Sequence, residues 1–296
     1  MNKQYKKDFI KAGEIAREVR AFGRNLIKPG ASYNQVVDQI NAKITSLGAI
    51  PAFPPQIALN DVAAHYLPDP EEDIAFSNEV IKLDIGVCYN GAIGDCATTV
   101  DLSGKHQGLV DAAEAALAEV EKNIKVGISL GEIGRIIENT IMARGYKPVR
   151  NLSGHGLGKY IIHTNPIIPN YDNGSAIQLK PGMTFAIEPF ATTGAGMIYE
   201  TDHPAIFSLV AQRPVENDLA RELLARIKKF NGLPFAIHNL LGDLTLIEVK
   251  MGLGELLNKG IIYGYGPLLE KEKGMVAQAE NSFLIDEKGN VLVTTR

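Results

Sequence analysis

Cysteine is nearly absent: Cys88 and Cys96 are the two in 296 residues, too few for the disulfide framework of a small secreted domain. No apolar run approaches the length of a membrane span, which excludes a helical membrane protein. The N-terminus, MNKQYKKDFIKAGEIAREV, lacks an apolar h-region and reads as a charged amphipathic helix. A basic surplus is also missing, since 30 Lys and Arg stand against 34 Asp and Glu, a net charge of -4. That balance gives no electrostatic case for nucleic acid or an anionic membrane. These absences leave a cytoplasmic protein as the expectation. With 45% hydrophobic and 22% charged residues the chain is ordinary globular material, one large domain or two. It is long enough to bury its core without disulfides or oligomerisation, so a monomer is expected.

The first half holds a repeat at an offset of 97 residues. IKPGAS from Ile27, followed by Val36, Ile40, Ile44, Gly48 and Pro51, is matched by IKVGIS from Ile124, followed by Ile133, Ile137, Ile141, Gly145 and Pro148. Each unit reads as a helix, a turn with a Ser cap, a second amphipathic helix and a Gly stop. The repeat implies two related α/β halves, and a cleft between halves is a usual place for a site. Strand-like segments follow each unit: IKLDIGV and ATTVDLS, then MTFAIEP and a C-terminal FLI/VLVTT pair. Strands that follow runs of helix favour an α+β fold. Between them, RPVENDLARELLARIKKF and LTLIEVKMGLGELLNKG are helical by period. This predicts a helical insertion over 206–263 in a domain of 1–205 and 264–296.

Several acids sit where strands should be apolar. Asp84 lies between Leu83 and Ile85, and a buried carboxylate is costly unless something pairs with it. Asn90-Gly91 is a strong hairpin signal. A type I′ turn there puts Gly86 opposite Asp95 and sets Asp84 and Asp95 on one face. Like charges that close need a proton or a cation between them. Glu188 ends the run MTFAI, Glu280 lies in MVAQAENSFLI, and His155 sits in a Gly-rich turn, SGHGLG. A strand Asp or a His between glycines is, taken singly, more often a turn or loop residue. Together they form an oxygen-rich set suited to two divalent ions bridged by carboxylates. Cys88 and Cys96 have the wrong spacing for structural zinc, and no EF-hand spacing is present.

KLDIGVCYNGAIGDCATTV, NLSGHGLGKYIIH, KPGMTFAIEPFAT and VAQAENSFL, in that order, resemble the metallopeptidases of the pita-bread fold. The resemblance covers nearly the whole chain. It implies a fold of two pseudo-twofold halves and five ligands, Asp84, Asp95, His155, Glu188 and Glu280, around two divalent ions (Co, Mn, Fe or Zn) and a bridging water. PAFPPQIALNDVAAHYLP resembles the segment of type 2 methionine aminopeptidases that carries a substrate-facing His, here His65. The insertion after Glu188 and a start directly in the catalytic domain point the same way, and the short N-terminus looks archaeal.

The implied activity is removal of the initiator methionine from nascent polypeptides, with the ribosome as a further candidate partner. Glu188 would pass a proton to the leaving amine, and His163 and His65 would flank the scissile bond. Phe53, Ile162 and Tyr265 would line the methionine slot, and Thr99 would hydrogen-bond a ligand or the water. Other readings in the superfamily are an X-Pro peptidase, like aminopeptidase P or prolidase, and a non-catalytic binder of ribosomes or RNA. One departure stands out: the family's A-Q-F-E-H-T is A-Q-A-E-N-S here, at Ala277–Ser282.

Overall fold

The computed structural model describes residues 1–296. In it the repeat becomes two copies of one helix pair. Helices α1 (Lys3–Leu26) and α2 (Tyr33–Ser46) recur as α3 (Gln107–Asn123) and α4 (Leu130–Met142). The hydroxyls of Ser32 and Ser129 cap α2 and α4 by accepting from the backbone N–H of Gln35 and Glu132, both at 3.1 Å. Without those acceptors the first-turn N–H groups would lack partners.

Each pair covers its own core. Ile15, Val19, Val36 and Ile40 pack on Ile81, Leu83 and Ile85 in the first half. Leu109, Val120, Ile133 and Ile137 pack on Phe185, Ile187 and Phe283 in the second. The apolar spacing of three and four along each helix turns one stripe inward, and burying it supplies most of the driving force.

The strand Val80–Tyr89 pairs with Ala92–Asp101 in the expected register, Tyr89 opposite Ala92 and Gly86 opposite Asp95. Asn90 at φ 53° and Gly91 at φ 87° make the left-handed turn that this register requires. On its other side Val80–Tyr89 pairs with Gln56–Leu59, which sets Gln56 opposite Asp84. The second half holds a five-stranded sheet in the order Val291–Val293, Asn281–Ile285, Thr184–Ile187, Ser153–Gly158, Ile161–Pro169. SGHGLG is therefore a strand, not a turn. Its glycines serve close packing: a Cβ on Gly154 would lie 2.4 Å from the Ala186 oxygen, and one on Gly156 would lie 2.1 Å from the Asn165 oxygen.

The two halves meet at a narrow seam. Ala97 and Glu280 exchange backbone hydrogen bonds at 3.4 and 3.2 Å, and the Ser282 hydroxyl bonds both the N–H and the carbonyl of Asp95 at 2.8 Å. From α1, the Arg20 guanidinium donates to the Glu280 carbonyl at 2.9 Å, the Asn281 side-chain oxygen at 3.0 Å and the Thr295 carbonyl at 2.8 Å.

Between the sheets, α5 (Asp218–Ile227) and α6 (Leu246–Asn258) pack on a separate cluster that includes Phe207, Leu223, Phe235 and Leu253. The segment is not helix alone, because Ile206–Leu209 pairs with Phe235–Ala236 and with Ile262–Tyr265. No helix of the chain is long and apolar enough to cross a membrane.

Candidate active site

The seam ends in one cavity of about 1070 Å³, lined by every candidate site residue singled out in the sequence except Thr99. Asp84 and Asp95 enter from the first-half hairpin, while His155, Glu188 and Glu280 enter from strands of the second half or the turns between them. Donor atoms of Asp95, His155 and Glu280 all lie within 4.8 Å of one another. The His155 Nε2 is 3.4 Å from Glu188 and 3.8 Å from Asp95. Gln278 Nε2 donates to Asp84 at 3.4 Å and to Glu188 at 3.5 Å, which draws the remaining two acids to the group.

Burial and crowding both disfavour ionising these four acids. Burial pushes the Asp84 carboxyl up to about 7, partly offset by the Gln278 hydrogen bond. Burial, and then the neighbouring acids, hold Asp95, Glu188 and Glu280 well above the usual carboxylate range. Oxygens of Asp84, Asp95 and Glu280 are buried with no hydrogen-bond partner, and no Lys or Arg forms an ion pair with any of the four acids. Unpaired buried carboxylates are costly, and divalent cations satisfy such oxygens.

His155 is prepared in the complementary way. Burial, and then His163, lower it to about 3, so the ring is neutral. Its Nδ1 faces the Gly156 carbonyl at 3.3 Å. A carbonyl only accepts, so the proton sits on Nδ1 and the Nε2 lone pair points toward Asp95 and Glu188.

Around this centre, the His155 and His163 rings meet edge to face at 4.4 Å, and the His65 and Tyr265 rings at 5.6 Å. His65 is held at φ 59°, and burial lowers its ring to about 4, again neutral. Phe53 lies against the hairpin over Gly86, where any Cβ would sit 2.2 Å from the ring. Thr99 does not reach a ligand: its hydroxyl donates to the Gln278 carbonyl at 2.7 Å and accepts from the Gln278 N–H at 2.8 Å. Both partners are backbone because Thr99 stands beside the strand that carries Gln278.

No local pattern points to Gln56, whose side-chain oxygen accepts the His65 N–H at 2.7 Å, or to the Gln278 amide. Neither glutamine departs from an ordinary strand pattern; only pairing across the sheet reveals them.

The model of metallopeptidase family M24 matches residues 7–238. The chain is 41% identical over 288 residues to the methionine aminopeptidase of Thermococcus onnurineus (strain NA1), covering 96% of this chain and 98% of that one. Among solved structures, the methionine aminopeptidase of Thermotoga maritima superposes with a TM-score of 0.73 at 22% identity, covering 100% of this chain and 98% of that one. A thermophilic Arx1 superposes with a TM-score of 0.86 at 16% identity, covering 99% and 91%. At these identities the structural likeness concerns the fold.

Proposed function

The chain belongs to metallopeptidase family M24, and from that premise we propose that it is a methionyl aminopeptidase, which hydrolyses the peptide bond after an N-terminal methionine. The observation that carries this reading is identity of 41% to a methionine aminopeptidase along almost the full length of both chains. The X-Pro and non-catalytic alternatives are not favoured, because relatives at 35–41% identity carry the methionine aminopeptidase name.

Asp84, Asp95, His155, Glu188 and Glu280 would hold two divalent ions. The donor set fits, since three of its carboxylates keep a buried, unpartnered oxygen and its imidazole presents a lone pair. When bound, such ions polarise the scissile carbonyl and lower the pKa of water. Hard oxygen donors with one nitrogen admit Mn, Fe, Co or Zn.

The remaining chemistry belongs to side chains. Glu188 accepts the proton of the attacking water at its carboxylate and delivers it to the leaving amine nitrogen. His163 and His65, as neutral rings, donate hydrogen bonds from opposite sides to the atoms of the scissile amide. Phe53, Ile162 and Tyr265 form the apolar slot for an unbranched side chain. Gly86 fixes the depth of that slot, since only its missing Cβ lets the Phe53 ring lie so low. The partner in this reading is the N-terminus of newly made polypeptides, in the compartment where they are made.

The test compares Met-Ala-Ser with X-Pro peptides, using protein stripped of metal and reconstituted. Metal-dependent release of methionine is expected. Cleavage confined to X-Pro peptides would refute the assignment.

A further inference from the structure

The cavity is bordered on one side by a strand edge. Residues 161, 162, 163, 164 and 165 all line it, although successive side chains of a strand point to opposite faces. A face could supply only alternate residues, so the backbone edge is what borders the cavity. That strand, Ile161–Pro169, is the last in its sheet, paired only with Ser153–Gly158. No backbone–backbone hydrogen bond outside the ladders uses residues 161–165, while the Thr164 hydroxyl donates to the Asn165 carbonyl at 2.8 Å. The edge is short because Pro166, which has no N–H to offer, closes it. Ile161 and Ile167 flank it at 53% and 64% exposure.

Open edges invite another strand, and proteins usually blunt them with charge or cover. This one is flanked by exposed isoleucines and runs into the catalytic centre through His163. From this juxtaposition we infer that the Ile161–Asn165 edge is the track for the substrate polypeptide beyond its first residues. The chain would dock as an added strand, with main-chain hydrogen bonds to the edge and apolar side chains over Ile161 and Ile167. Such recognition reads backbone more than side chain, which suits an enzyme that must accept many unrelated N-termini. It also requires the segment to be extended and unfolded. The inference rests on the aminopeptidase reading and adds the form in which the substrate binds.

Peptides beginning Met-Ala, from two to six residues long, test it together with hexapeptides N-methylated at single amides. The kcat/KM should rise with length, mainly through KM. In a strand, N–H groups alternate between the edge and solvent, so N-methylation at one of two successive amides beyond the second residue should cost about fivefold and at the other little. In Ile167→Glu the ratio of hexapeptide to dipeptide kcat/KM should fall about threefold. Rates flat with length, equal effects of successive methyl groups, or an unchanged ratio in Ile167→Glu would each overturn strand docking while leaving the aminopeptidase intact. Failure to cleave any Met-peptide would instead overturn the activity, and this inference with it.

Discussion

Gln56 accepts the backbone N–H of His65 at 2.7 Å, from a position directly across the ladder from Asp84. That bond steadies a residue held at φ 59°, a conformation uncommon outside glycine. Replacing Gln56 by Ala leaves a partly buried N–H without its partner. A fall of about tenfold in kcat/KM for Met-Ala-Ser is expected, equivalent to ~1.4 kcal/mol, with kcat more affected than KM. Unchanged kinetics would remove His65, or its support, from the reaction.

Neutralising one acid should have opposite effects with and without metal. Asp95 is held well above its usual range by burial and then by Asp84. Asp95→Asn therefore removes repulsion from the metal-free protein and should raise its Tm by about 2 °C. The wild type should gain about 2.7 kcal/mol at a hundredfold excess of metal over Kd, and the variant much less. Thermal melts with and without Mn or Co check both signs.

The same charges give the metal-free protein a pH signature. The folded values of His65 and His155 are depressed to about 4 and about 3, so their contribution is fully present above about 6.5 and constant there. The carboxylates are raised instead, Asp84 to about 7 and the others well above their range. Over that window the unfolded chain binds fewer protons than the folded one, so stability falls as pH rises. Urea melts in a chelator from pH 6.5 to 9 should show this decline. Metal should weaken or reverse it, since binding favours deprotonated ligands. A flat profile without metal would mean that the acids are paired.

Arg20 joins the seam from behind by donating to the Glu280 carbonyl, the Asn281 side chain and the Thr295 carbonyl. Arg20→Ala should cost about 2 kcal/mol in a urea melt and weaken metal binding in a competition with a chromophoric chelator. Lys at this position should restore less than half of either, because it lacks the planar fork. Full retention of metal affinity in Arg20→Ala would limit the residue to a stabilising role.

Local rules made much of this architecture legible. Asn90-Gly91 dictated the turn, the turn dictated the register, and the register placed Asp84 and Asp95 on one face. Spacing of apolar residues likewise showed the paired helices. What stayed hidden depends on contacts distant in sequence. SGHGLG read as a turn because glycine signals turns locally, while its use as a closely approached strand follows from Ala186 and Asn165. The A-Q-A-E-N-S departure resolves similarly. Asn281 bonds Arg20 and Thr295, and its amide donates to Glu121 at 2.7 Å, a network built from four separated segments.

The seam has a meaning in the order of synthesis. The hairpin bearing Asp84 and Asp95 leaves the ribosome early, whereas Glu280 follows after every helix of the chain has been made. Until that last donor arrives and the second half closes on the first, the early acids share no completed centre. On the proposed ligand set, a partly made chain would be inert, and cutting power would come only once the second half is in place.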